Sequence, residues 1–189
     1  MAIFLPIVPN WKNGIKDVYE FRTSIFTSRD GSEQRRSQRI QPRRNLTIAA
    51  ILDGERMRHF ADAINKARDG RVEISDFTGD PAFLEETVLA GGSLLRVDRT
   101  PSWLVSEASF TIVTGRSAVK VRADFVENNI VVLANPLEYS VGEGAKLLPL
   151  IPASIENSNT LSIYTTSVST TSLKFSVEPG TVQRTPDPL

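Results

Sequence analysis

The sequence predicts a mainly β protein with one flanking α-helix, and three observations carry that reading. Short segments rich in Val, Ile, Thr and aromatic residues recur between Gly and Asn turn signals. Only one stretch carries apolar residues at helical spacing. The composition is that of an ordinary globular chain: of 189 residues, 40% are apolar and 23% charged, enough to build a core rather than remain disordered.

The elements follow in order. Residues 1–14 read as an extended arm, because Pro6 and Pro9 oppose a helix and Asn13-Gly14 signals a turn. From Ile15 to Thr27, Tyr19, Phe21, Thr23 and Ile25 alternate with Val18, Glu20, Arg22 and Ser24, which predicts one strand with an aromatic face. Asp30-Gly31 makes the next turn. Residues 29–44 hold six arginines against Asp30 and Glu33. Leu46–Leu52 is an apolar run of strand length. Asp53 is then a good N-cap, Glu55 sits where the helix dipole favours it, and Met57, Phe60, Ala61, Ile64 and Ala67 repeat at helical spacing until Gly70. This predicts a helix over 54–69. A strand starts at Arg71, and further strands are expected at 93–97, 109–113, 117–126, 129–133, 145–151, 160–166 and 171–177. Such spacing implies a barrel or sandwich. The expected organisation is a first β unit over 1–90, open to completion by later strands, an additional β domain over 91–178, and a Pro-rich arm over 179–189.

Composition narrows function. Twenty-two basic residues balance 22 acidic ones, so the basic excess of a dedicated nucleic-acid binder is missing, and near-zero net charge does little to keep copies apart. The chain has no cysteine, which removes disulfides, thiolate metal sites and cysteine nucleophiles. No signal-peptide pattern or apolar run of spanning length is read, so a soluble protein without membrane insertion is expected.

Candidate chemistry is sparse. His59 is the single histidine and reads as a helix-surface residue, since a general base or metal ligand needs partners. Glu85-Glu86, with Asp76 and Asp80, is the nearest acidic cluster. It reads as solvated loop acids, with glycosidase-type carboxylates or a calcium turn at 76–80 as competing readings. Neither a nucleophile elbow nor a phosphate loop is found. No catalytic, cofactor or metal residues are therefore expected. The arginine run reads as ion pairs and packed guanidinium stems, with phosphate binding as the competitor. Trp103 and Tyr139 are candidate sugar-stacking residues of a carbohydrate- or receptor-binding β module, against the alternative of core packing.

One resemblance adds to this. Trp11, Asn13 and Gly14 precede an aromatic strand. Ser28, Arg29, Gly31, Glu33, Gln34 and Arg35 then form a turn element, which Arg39, Pro42, Arg43 and Arg44 close; Arg36 joins these as a candidate subunit-interface residue. This order, best over residues 8–75, resembles the N-terminal signature of the distal tail proteins of siphophages and gene-transfer agents. Gly142–Leu150 (GEGAKLLPL) is similar to a downstream element of the same family. The resemblance implies a tail-tube-like β-sandwich with a flanking helix and a hexameric ring in the virion's tail tip, assembled in the host cytoplasm. The partners would be the tail tube protein and baseplate hub or fibre proteins, with a tube or terminator ring as the alternative. In such a ring, Glu33 and the arginines from 35 to 44 are expected to form pairs within or between subunits that fix the angle between neighbours, and both arms would reach over neighbours. The resemblance implies no enzyme activity.

Overall fold

A computed structural model describes residues 3–37, 41–67, 70–115, 117–156, 160–163 and 168–177. Arg39, the end of the expected helix at 68–69 and the arm at 179–189 lie outside them. In chain order the elements are β1 (Ile3–Phe4), β2 (Ile15–Glu20), β3 (Thr23–Thr27), β4 (Glu33–Ser37), β5 (Arg43–Asp53), α1 (Gly54–Lys66), β6 (Arg71–Ser75), β7 (Ala82–Phe83), β8 (Leu94–Arg96), β9 (Ser109–Thr114), β10 (Ser117–Glu127), β11 (Ile130–Leu133), β12 (Lys146–Ile155), β13 (Thr160–Ile163) and β14 (Val168–Val177). The protein is mainly β with a single helix among the described residues.

Two main hydrophobic cores organise the strands. The first takes Leu5, Ile7, Leu46, Ile48 and Leu52 from the amino-terminal part and Ile151, Ala153, Leu173 and Phe175 from the carboxy-terminal part. Phe60 and Ala63 of α1 close over it, as an amphipathic helix covers one face of a sheet. The second core lies wholly between Ala82 and Leu147. The division therefore falls elsewhere than at residue 90. A lobe spanning roughly 82–147 is inserted into a lobe built from both ends of the chain, and residues 151–177 belong with the first lobe.

β12 serves both lobes. Its Lys146–Pro149 half pairs with β7 and β9, and its Leu150–Ile155 half pairs with β6 and β14. Pro149 and Pro152 stand in this central strand, where proline is normally avoided because it donates no ladder bond. Here the neighbours change on both edges. In the inserted lobe, β12, β9, β10, β11 and β8 pair in sequence, Val97 after β8 bridges Leu84, and β7 returns to β12. The pairing closes on itself and leaves few free edges.

Turn chemistry fixes the hairpins. β10 and β11 meet at Asn128-Asn129, both at positive φ (49° and 63°), as a two-residue turn matching the strand twist requires. The strand expected over 15–27 divides at Phe21-Arg22. β2 pairs with β5, whereas β3 leaves that sheet and pairs with β4 alone. The N-terminal arm does not reach outwards. Leu5 and Ile7 are fully buried, and β1 runs parallel to β6. Asp53 occupies the N-cap position without capping a backbone N–H, because its carboxylate is taken by Arg56.

Candidate functional site

The two sequence stretches that carry the resemblance meet at one cleft. Trp11 ends the buried arm, and Phe77 follows β6. The glycine loop Gly142–Gly144 leads into Lys146 of β12, and the β9–β10 turn at Thr114-Gly115 supplies the remaining wall. The cleft has a volume of about 450 Å3. Trp11 and Phe77 stand edge to face at 6.1 Å, a favourable aromatic geometry. The Lys146 ammonium lies 5.4 Å from the Trp11 ring centre and 6.0 Å from that of Phe83, within cation–π range. Trp11 remains 57% exposed. A Cβ placed on Gly115 or Gly142 would meet nothing within 4 Å, so the glycine walls are bare. Aromatic faces, one ammonium and the carboxylate of Glu143 suit non-covalent recognition.

Arg44 holds this wall from behind. Its guanidinium donates to both oxygens of Asp76 at 2.8 and 2.9 Å, to Asp17 at 3.1 Å and to the Thr78 hydroxyl at 2.6 Å. It also lies 5.9 Å from the Tyr19 ring centre. Burial alone would raise the Asp76 carboxyl. The Arg44 bonds and charge, with the hydroxyl and N–H of Thr78, outweigh burial and hold it below its usual range. Burial likewise opposes the Arg44 charge, but two carboxylates push its proton affinity up. This centre joins β2, β5 and the turn after β6, so it fixes the position of Phe77.

The remaining predicted residues scatter. Arg29, Glu33, Arg35 and Arg36 lie exposed on the β3–β4 hairpin, where Arg35 meets Glu33 at 3.4 Å. Pro42 is half-buried just before β5. Arg43 bonds Glu156 and Ser176 of its own chain, so the pairs of Arg43 and Arg44 seen here are within the subunit. Trp103 packs against the second core and donates its indole N–H to the Asp80 carbonyl at 2.7 Å. It is a wall of the core rather than an open stacking face. Tyr139 is 67% exposed, and Trp103 lends it no second platform. Glu86 lies 3.8 Å from Arg96, and Asp80 pairs with Arg99 at 2.6 Å. Asp76 belongs to Arg44, so three of the four acids of the cluster are divided among three arginines, and Glu85 is exposed. His59 is exposed on α1. Among the described residues, no group of three His, Cys, Asp or Glu side chains is placed to hold a metal ion, and no helix is long and apolar enough to cross a membrane.

Sequence reasoning missed Phe77 and Asp17, whose partners lie far along the chain. Lys146 was visible only as part of the GEGAKLLPL element. No protein-family model matches the chain, and no curated protein matches it.

Proposed function

We propose that the chain is a structural subunit of a phage tail tip, forming a closed ring that joins the tail tube to hub or fibre proteins. The observation that carries this reading is the β3–β4 hairpin. It forms a separate two-stranded sheet, a unit that is marginal in water by itself. It exposes Phe26 to 63%, with Ile25 beside it and Phe21 at its base, amid Arg29, Arg35 and Arg36. Its turn is well built: Asp30 accepts from the Ser32 N–H and hydroxyl, and Gly31 adopts φ +84°. A rigid turn carrying apolar side chains into solvent fits a contact that another molecule completes. A head-to-tail contact of this kind closes into a ring when its rotation is fixed, and the arginines contribute register more than affinity.

The test is mass photometry with negative-stain imaging of the wild type and of Phe26→Ser. A closed ring for the wild type and monomers for Phe26→Ser are expected. Rings that persist in Phe26→Ser, or a wild type that stays monomeric at every concentration, would remove the hairpin from assembly.

A further inference from the structure

We propose that the cleft between the lobes binds a carboxylated sugar, a hexuronic acid unit whose ring stacks on Trp11 and whose carboxylate meets the Lys146 ammonium. This assignment is independent of the ring reading. It moves the sugar-stacking role from Trp103, which serves the second core, to Trp11.

The platform is the first argument. Trp11 sits in a tight turn. The Asn10 N–H donates to the Ala49 carbonyl, the Asn13 N–H to the Asn10 carbonyl, and the Lys12 N–H to the Asn10 side chain. This turn holds an indole that is 57% exposed yet edge to face with Phe77. Phe77 in turn follows Asp76, which Arg44 clamps. Val113 and Leu148 form a buried apolar floor. An indole fixed in this way loses little freedom when a ligand covers it. Its π-face is negative, so it attracts the weakly positive C–H face of a pyranose ring. The volume of about 450 Å3 lies within the range of small-ligand sites, about 300–1,000 Å3.

Charge is the second. Among the described residues, Lys146 and Glu143 are the charged side chains of the lining, and neither charged group has a hydrogen-bond or ion-pair partner there. The ammonium already lies near the Trp11 and Phe83 rings, so the aromatic walls have their cation and a cationic ligand is repelled. A ligand carboxylate completes the ammonium through a charge-assisted hydrogen bond, and sugar hydroxyls donate to Glu143. A phosphate fits less well. It carries up to about two negative charges at neutral pH, whereas the lining sets a single ammonium beside a carboxylate. Hydrolysis of a glycosidic bond generally uses a pair of carboxylates. Glu143 stands alone in the lining, so the assignment is recognition without cleavage.

The test is calorimetric titration of the full-length protein with trimers of galacturonic, glucuronic and mannuronic acid, with the methyl ester of each trimer, and with the free sugar acids. Quenching of the exposed Trp11 indole gives a second readout. At least one acid trimer is expected to bind, with its methyl ester, which keeps the ring and loses the charge, about tenfold weaker. Lys146→Gln should weaken the acid trimer about tenfold and leave the ester unchanged, because the two changes remove one interaction. Trp11→Ala should weaken both forms about tenfold, as loss of a stacking partner does. A trimer that binds more tightly than the free sugar acid identifies a polysaccharide as the source, and equal affinities identify the free sugar acid; both results keep the assignment. Failure of every acid trimer to bind would overturn it. An ester that binds as tightly as its acid would do the same, as would a Lys146→Gln variant that binds the acid like the wild type.

Discussion

Arg44 shows how one side chain links sheet, turn and cleft. Its carboxylate partner Asp76 is 2% exposed, so both charges have left water and each depends on the other. Removing the cation leaves two carboxylates uncompensated. Arg44→Ala is expected to destabilise the fold by about 3–5 kcal/mol, read as a lower denaturant midpoint at unchanged slope. The pH dependence has a definite sign. The folded Asp76 carboxyl lies below its ordinary value of 3.8, so the folded state binds fewer protons than the unfolded one. Its stabilisation is fully present above that value and is lost as pH falls through the folded pKa. Between pH 5 and 2, Asp76→Asn should show a shallower loss of stability than the wild type. Parallel acid-unfolding curves for the two proteins would contradict this. Trp11 is a different case. Because its indole is largely exposed, Trp11→Ala should alter cleft binding far more than thermal stability.

At the scale of elements, the β3–β4 hairpin and the β10–β11 hairpin contrast. The second is held in a closed run of strands and turns at two left-handed asparagines. Glycine adopts that conformation without steric penalty, so Asn128→Gly should be neutral or stabilising by a few tenths of a kcal/mol, whereas Asn128→Val should destabilise; Asn129, whose amide bonds Thr100 and the Asp98 carbonyl, should tolerate glycine less well. The first hairpin has only its own two strands. Its exchange-protected amides are expected to open at a fraction of the global unfolding free energy, and assembly should slow that exchange. Hydrogen exchange at Phe26 and Gln34, which face each other as a hydrogen-bonded pair of the hairpin, before and after ring formation measures this directly. Unchanged exchange on assembly would separate the hairpin from the ring contact.

For the whole molecule, β12 decides cooperativity. Leu147 sits in the core of the inserted lobe and Ile151 in that of the other, on one continuous strand. The lobes also share a buried bond from Ser75 to Thr111 at 3.0 Å and an ion pair from Lys120 to Glu73. One lobe cannot release β12 without exposing the core of the other. Calorimetry should therefore show a single transition. Leu147→Ala and Ile151→Ala should each cost about 2–5 kcal/mol and shift that one transition. Two separate transitions, with each variant moving only one, would show that the lobes unfold independently.

The sequence by itself determined the class of the fold and most of its strands, because period-two alternation, β-branched runs and turn dipeptides act over a few neighbouring residues. The helix after Asp53 was legible for the same reason: its apolar spacing is local. The tertiary structure decided everything that depends on distant pairing. It split the strand expected over 15–27, since whether Phe21 continues along β5 or turns away depends on which strand offers hydrogen bonds. It buried the arm that looked free, because Leu5 and Ile7 complete a core drawn from both ends of the chain. It gave β14 and the second half of β12 to the first lobe, and it separated the five described arginines of the run into one buried centre, one surface pair and an exposed hairpin. The cleft was legible only as two unrelated motifs. Trp11 and Lys146 become one site because β12 joins the inserted lobe to the rest, and no local property of either stretch encodes that contact.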